Sequence, residues 1–413
     1  MSTNYSKAID TSDTILSFAE ESVWGTAPTQ AYASGITAGY YQALRITGES
    51  LAESRQRTRP QEINSTGVVS AAVTTQVQAE GAVNFALSAS TVNGATILKS
   101  YEQFLCSVIG ANDFGAEVSI SATSCTTSTI IGTAMTTVPA NAWMMVTAAW
   151  TNTANANASG WYKNTTANST ATTITLAAGN TIPAAETVAI TVRTTPTLSN
   201  GSNFRSFAFE KKLASNLFLL ATGCQITQFQ LNASVGGFVE GSFNVLAKQI
   251  ATATATAAGA GANGIVPASV GRVIDTVGGV ARIWMDGAAL SSPAQSFQLN
   301  LQRQNARGQY AIGSSSAQGM GKGTLDVSGT LSLYFDTFTM YDKYRLETPV
   351  TIDLALRDAN YGGYVISLPN VTLMNPSIVA GGPDQDVMAE FQMEGNPSAG
   401  TIINVTRVRS TAT

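Results

Sequence analysis

The stretch VSAAVTTQVQAEGAVNFAL, Val69–Leu87, decides the fold class. Its odd positions read Val69, Ala71, Val73, Thr75, Val77, Ala79, Gly81, Val83, Phe85 and Leu87; its even positions carry Ser70, Thr74, Gln76, Gln78, Glu80 and Asn84 among alanines. Side chains alternate sides along a strand, so this pattern sets an apolar face against a core and a polar face toward water. Ordinary strands run about 5–6 residues. One this long implies an extended sheet or a large barrel.

The same signature returns in Leu325, Val327, Gly329, Leu331, Leu333 and Phe335, which alternate with Asp326, Ser328, Thr330, Ser332 and Tyr334. Shorter period-two runs are Phe297-Leu299-Leu301, Ile352-Leu354-Leu356 and Thr227-Phe229-Leu231. The chain therefore reads as mainly antiparallel β. Two short helices are expected. One spans Tyr101 to Ile109, with Ser100 and Gln103 as a capping box; the other holds Phe338, Tyr341 and Tyr344 after Asp336 as N-cap. Aligning Gly81 with Gly329 superposes Val83 on Leu331, Phe85 on Leu333 and Leu87 on Phe335, and a helix follows each strand. This is the mark of an internal duplication.

A charge-poor stretch interrupts the first repeat. From Val118 to Val192 the charged residues are Lys163 and Glu186, and Trp143, Trp150 and Trp161 fall in the same span. It reads as a small inserted β domain whose tryptophans either build its core or form a sugar-binding platform. The expected organisation is a first β domain at 1–115 and 200–250, the insert at 116–199, a flexible Ala/Thr/Gly linker at 251–270 and a second domain of the same kind at 271–413. Gly48 to Glu62 concentrates charge (Glu49, Glu53, Arg55, Arg57, Arg59, Glu62) and reads as a loop, either simply solvated or a contact arm.

Composition excludes several chemistries. There is no histidine among 413 residues, which removes the commonest general base and metal ligand. Cys106, Cys125 and Cys224 are too few and too scattered for a disulfide framework or zinc site, and read as small buried residues. Gly319-Met320-Gly321-Lys322-Gly323-Thr324 lacks the Ser or Thr that a phosphate loop needs directly after its Lys. Asp384 with Asp386 is too little for calcium. Sequons such as Asn64-Ser65-Thr66 and Asn164-Thr165-Thr166 are chance matches in a Thr-rich chain. No catalytic constellation, cofactor site or metal site is expected, and the protein is not expected to be an enzyme.

The balance of 22 basic against 26 acidic residues, at pI about 5.0, argues against gripping nucleic acid. Charged residues are only 12%, which suits a surface buried largely against copies of itself. Neither a secretion signal nor an apolar run long enough to span a membrane is read in the chain, so assembly in a cytoplasm is expected.

Ser17-Phe18-Ala19-Glu20-Glu21-Ser22-Val23-Trp24-Gly25-Thr26-Ala27-Pro28 resembles the opening of the tail tube proteins of long-tailed, siphovirus-like bacteriophages, where an acidic pair precedes an aromatic-Gly-Thr-x-Pro turn. Leu44 to Leu51, the Arg59-x-x-Glu62-Ile63 run, Ala311-Ile312-Gly313 and Leu368-Pro369-Asn370-Val371 are similar to later steps of that family. Ser159-Gly160-Trp161-Tyr162-Lys163 and Thr172 to Leu176 resemble the insert some members carry, while Trp143-Met144-Met145-Val146 stands where that insert has a Gly-containing turn.

The resemblance implies a structural subunit of the virion tail. Its β-sandwich domains, two fused copies here, would lend strands to a ring-wide β-barrel, and the rings would stack into a conduit for DNA ejection. The implied partners are further copies of the chain, a tape measure protein and then DNA in the lumen, and tail tip and terminator proteins; no membrane is implied. Thr74, Gln76, Gln78, Glu80, Asp326, Ser328, Thr330 and Ser332 are the expected lumen-lining residues, and Glu49, Glu53, Arg55, Arg57, Arg59 and Glu62 the expected ring-stacking loop. A different class stays open: a virion adhesion, receptor-binding or tail decoration protein that binds through the tryptophans of the insert.

Overall fold

The computed structural model describes residues 11–29, 40–63, 65, 67–93, 96–258, 264–278, 280–290, 292–379, 382 and 385–411. Asn64, Thr66 and Asp384 lie outside them. Most of the chain is antiparallel sheet in which each polar-apolar alternation buries its apolar face in one continuous core.

The first half comprises β1 (Ile15–Glu20), β2 (Ala52–Thr58), β3 (Val73–Ala86), α1 (Glu102–Ile109), β4 (Phe207–Ala214), β5 (Leu217–Ser234), β6 (Glu240–Ala247) and β7 (Gln249–Ala253). The second comprises β8 (Val280–Met285), β9 (Ala294–Gln304), β10 (Thr324–Tyr334), α2 (Thr339–Arg345), β11 (Val350–Arg357), β12 (Gly363–Val379), β13 (Met388–Gly395) and β14 (Asn404–Val408). In the first half β2 pairs β3, β3 pairs β6, β6 pairs β5, and β5 also pairs β4 and β7; β1 pairs β4. The second half makes the same pairings seven strands on: β9 with β10, β10 with β13, β13 with β12, β12 with β11 and β14, and β8 with β11. Registers agree as well. Phe243 lies opposite Val83 as Phe391 lies opposite Leu331.

Gly81 and Gly329 share one physical reason. A Cβ on Gly81 would sit 2.5 Å from the Leu51 backbone, and one on Gly329 would sit 2.3 Å from the Gln298 carbonyl oxygen. Each glycine lets a neighbouring strand come close at the centre of its sheet.

The long strands β5 and β12 each serve two layers. Their N-terminal parts belong to outer sheets, β1-β4-β5-β7 and β8-β11-β12-β14. Their C-terminal parts belong to one inner sheet of order β2-β3-β6-β5-β9-β10-β13-β12. The β5–β9 pairing, Gln228 opposite Gln302 through Ser234 opposite Ser296, is the seam that joins the halves. Within a single chain this sheet is open, with β2 and the C-terminal part of β12 at its edges.

Several expectations are corrected. The strand over Val69–Leu87 begins at Val73, where pairing with β2 starts, and Val69 is exposed. Neither helix uses its expected cap. The Ser100 hydroxyl donates to the Ser88 carbonyl, leaving Tyr101 at the N-cap position of α1; Asp336 accepts from Ser292, and Phe338 begins α2. The Ala/Thr/Gly stretch is no free linker where it is described. Ala251–Ala253 complete β7, and buried Glu210 accepts hydrogen bonds from the Thr256 hydroxyl at 2.7 Å and the Ala257 amide at 2.5 Å. A buried carboxylate must find donors, and this segment supplies them. The glycine run 319–321 pairs with 307–309 in a small hairpin before β10.

Residues 118–194 form a seven-stranded sandwich with its own core. One sheet orders Gly160–Lys163, Trp143–Ala148, Ile190–Thr194 and Val118–Ala122; the other orders Thr173–Thr175, Thr129–Ile131 and Ser124–Cys125. Trp143 begins a strand here rather than a turn. Asn164 is fully buried and donates to the Val138, Pro139 and Ala167 carbonyls, which explains it as a structural residue.

Glu102 of α1 ties the halves together. It is ion-paired to Arg407 of β14 at 3.2 Å, with both side chains almost wholly buried, and accepts from the Tyr364 hydroxyl of β12 at 2.9 Å. Removing one partner of a buried pair strands the other charge, at a cost of about 3–5 kcal/mol. Glu102→Ala should lose stability of that order in equilibrium urea unfolding; a loss under about 1 kcal/mol would place the pair among weak surface bridges.

Candidate functional site

The inner sheet has a buried face and a polar face, and the polar face is the candidate functional surface. On it β3 presents Thr74, Gln76, Gln78, Glu80 and Asn84, and β10 presents Asp326, Ser328, Thr330 and Ser332. Their odd-numbered neighbours Val77, Ala79, Val83, Phe85, Val327, Leu331 and Leu333 are buried. The residues expected to line a lumen thus share one surface, and the seam brings their two strands into the same sheet.

Strands between and beside them add residues that the sequence reading left out: Glu240, Ser242 and Asn244 on β6, Gln228, Gln230 and Asn232 on β5, Gln298, Asn300 and Gln302 on β9, and Glu390, Gln392 and Glu394 on β13. Registers across the sheet set them on this face. The signal was present on β5 and β9 as the polar partners of Phe229-Leu231 and Phe297-Leu299-Leu301. β6 and β13 are too short and too Gly- or Met-bearing to announce themselves.

Side-chain amides knit the face together across the seam. Asn244 donates to Gln228 at 2.6 Å, Gln228 to Asn300 at 2.7 Å and Asn300 to Ser328 at 3.3 Å, so one chain of hydrogen bonds runs over β6, β5, β9 and β10. Thr330 donates to Gln298 at 3.3 Å and Gln304 to Asp326 at 3.1 Å. The sheet curves into a trough of about 850 Å³ whose lining includes Glu240, Asp326 and Glu394 and neither Lys nor Arg. It is polar and weakly acidic, with its amides already engaged by one another.

The charged segment is largely strand, not loop, as far as Thr58. Gly48–Glu49 and β2 pair with β3 as the outer strand of a long hairpin, in one register as far as Gln56 and with a shift between Gln56 and Arg57. The strand follows because alternate residues meet the β3 ladder, which satisfies the backbone that a loop would leave to water. Glu49 is ion-paired to Lys211, and Glu53 accepts from the Ile250 amide at 3.0 Å and from Arg55 at 2.7 Å, so both carboxylates serve their own chain. Arg55, Arg57, Arg59 and Glu62 are exposed; Arg57 donates to the Ala72 carbonyl at 3.4 Å and Glu62 accepts from Ser70 at 3.1 Å.

Trp143 and Trp161 of the insert neither form a surface platform nor fill its core. Trp143 and Trp161 are 3% and 4% exposed and pack with Met145 against Trp284, Ala355, Val365 and Val408 of the second half. The Trp143 and Trp284 rings lie 4.8 Å apart, and Trp161 Nε1 donates to the Leu356 carbonyl at 2.9 Å. Lys163 pairs with buried Asp353 at 3.2 Å, and Arg193 donates to the Arg409 and Tyr361 carbonyls. Trp150 packs against the insert's own core. Within the insert, hydrogen bonds from Thr151 and Asn155, joined by the Thr151 and Asn152 amides, draw the Glu186 carboxyl down to about 2.

The acidic pair near the N-terminus also has a structural task. Glu21 accepts from the Gly25 and Gly223 amides, each at 2.8 Å, and closes the turn that carries Trp24. Burial raises its pKa against the lowering effect of those amides. Glu20 pairs with Arg205 at 2.7 Å. Among the described residues no group of three His, Cys, Asp or Glu could hold a metal ion, and no helix is long and apolar enough to cross a membrane.

A family model described as phage tail tube protein matches residues 11–395. No curated protein matches the chain.

The dock and Glu186 generate two expectations. Truncating a buried aromatic costs about 3–5 kcal/mol, so Trp284→Ala should uncouple the insert, seen as a separate calorimetric transition and protease cleavage near residues 195–200. One cooperative transition with unchanged cleavage would show that the dock does not depend on it. Because the Glu186 pKa is depressed on folding, its contribution is in place above the ordinary carboxyl value of 4.5 and fades as pH falls toward about 2. Glu186→Gln should flatten the dependence of insert stability on pH in that window; an unchanged slope would assign it to other groups.

Proposed function

On the premise that the chain belongs to the phage tail tube protein family, we propose that it polymerises as stacked rings into a hollow conduit for DNA, with the polar face of the inner sheet as the wall. The chain is a structural component of the virion tail, and the finer reading rests on that face. It runs without interruption over β3, β6, β5, β9, β10 and β13, and in its central trough the ionised groups are carboxylates. A phosphate polyanion passing this central trough meets weak repulsion and no cation to hold it, while Arg303 and Arg307 line the neighbouring hollow beside Gln76, Gln78 and Glu80.

The two halves are fused copies of one tube domain. Their matching pairings, their common register and the paired glycines support this. Each copy fills one position in a ring, so three chains make a threefold ring with a pseudo-sixfold wall. Fusion removes half the association steps that six separate domains would need. The insert stands outside the wall, three to a ring. The far end of the β2–β3 hairpin, with Arg57, Arg59 and Glu62 exposed, reaches the next ring. Inside the lumen the partners are a tape measure protein and then DNA; at the tube ends they are tail tip and terminator proteins. Assembly takes place in the host cytoplasm.

Three measurements check this reading. A Gln78→Cys variant in assembled tubes should react with small thiol reagents and resist bulky ones; equal access would put the face outside. Charge reversal at Arg57 and Arg59 should leave rings that stack poorly, and normal tube length would remove the hairpin tip from stacking. Cross-section averages should show three inserts to a ring, whereas six would refute the fused arrangement.

A further inference from the structure

α1 and α2 occupy matching places in their halves, yet their surroundings differ. All eight residues of α1 are buried, because the helix packs on β5 and is closed over by β9 of the second half. Of α2 only Met340 is buried. It packs on β12, the counterpart of β5, but has no counterpart of β9. Phe338 is 62% exposed and Leu346 67% exposed at its two ends. The C-terminal part of β12, beside it, is a free sheet edge.

The missing strand can be read from the register. Arg303 of β9 lies opposite Leu325, and Arg55 of β2 lies opposite Val77; the spacing from Val77 to Leu325 equals that from Gly81 to Gly329. Arg55 is therefore the counterpart of Arg303, and Gln56 that of Gln304. Arg303 bridges the seam inside the chain, its Nε donating to the Val108 carbonyl at the C-terminal end of α1 at 2.5 Å. Burial pulls its pKa below the ordinary arginine value. Arg55 has the same place in its hairpin, where it reaches no helix end and donates instead to Glu53 of its own strand at 2.7 Å, and its side chain is 64% exposed.

We propose that α2 and the free part of β12 form the docking surface for β2 of a second copy of this chain, whose Arg55 caps the C-terminal end of α2 as Arg303 caps α1. The cationic guanidinium complements the negative end of the helix. The strands meet in the register of the internal seam. Gln230 faces Asn300 there; Ser377 takes the place of Gln230 and Ala52 that of Asn300, so Ser377 faces Ala52 of the next copy. Phe338 and Leu346 are covered at the same time.

This rests on the ring reading, and the test separates the two. Ala52→Cys with Ser377→Cys is oxidised in assembled tubes, with Gln230→Cys plus Asn300→Cys as the internal geometric control. The native cysteines are buried and do not compete. The expected product is a covalent species of three chains on a denaturing gel, against an intrachain link in the control. Tubes that form and link only in the control would overturn this joint and leave the ring standing; a chain that makes no rings would overturn both. Arg55→Ala should raise the concentration needed for ring formation about tenfold or more, as for loss of one charged hydrogen bond, with the melting temperature of the single chain unchanged. Assembly at the wild-type concentration would remove the cap.

Discussion

The pairing of β5 with β9 is the constraint on which the rest of the molecule depends. A sheet edge leaves a row of backbone donors and acceptors unsatisfied, and the core beneath it leaves apolar side chains half covered. At this seam both needs are met at once. Gln228 to Ser234 find hydrogen-bond partners on β9, and Phe229 and Leu231 share a core with Leu299 and Leu301. α1 becomes a wholly interior helix as a result. That is why it can carry Glu102 into the apolar interior, where Arg407 and Tyr364 of the other half answer it. Two sandwiches that could each have been separate become one body with one core.

The polar side of the same sheet obeys a different rule. Gln, Asn, Ser and Thr cost less to desolvate than Lys or Glu, and here they satisfy one another in a network that crosses four strands. Its few carboxylates are spread over several strands, with Glu80 on β3, Glu240 on β6, Asp326 on β10 and Glu390 and Glu394 on β13. The low charge content visible in the composition is the global trace of this local arrangement.

Much of this was legible in the amino-acid order. The two-residue period of Val73–Ala86 and Thr324–Tyr334 names both faces, because burial of one side enforces parity along the whole strand. The matching strand pairings of the two halves left a trace in Gly81 and Gly329, whose close backbone approaches tolerate no side chain. What stayed hidden depends on distant partners. Charges in β2 suggest a loop until Lys211 and the Ile250 amide are seen to hold Glu49 and Glu53. The tryptophans of the insert looked like a core or a platform, since nothing local to Trp143 and Trp161 reveals Trp284 or Leu356. Caps failed for the same reason: Ser88 and Ser292 claimed the side chains of Ser100 and Asp336.

The halves differ most where the internal seam and the open sheet edge place opposite demands. Phe297 on β9 and Glu49 before β2 hold matching positions, opposite Leu331 and Val83. The internal seam forms once, during folding, and can bury a phenylalanine there. An edge that is open in the single chain must remain soluble, and glutamate neutralised by Lys211 does that without an unpaired charge. β2 continues in the same manner with Arg55, Arg57 and Arg59, while β12 carries a bulge at Asn375 and a proline at 376 that has no N–H to give. Charges, bulges and prolines are the ordinary means of keeping edge strands from pairing indiscriminately. In the proposed joint, they leave an edge that rejects strangers yet still matches one strand, because the register and the arginine at position 55 are those that the internal seam already uses.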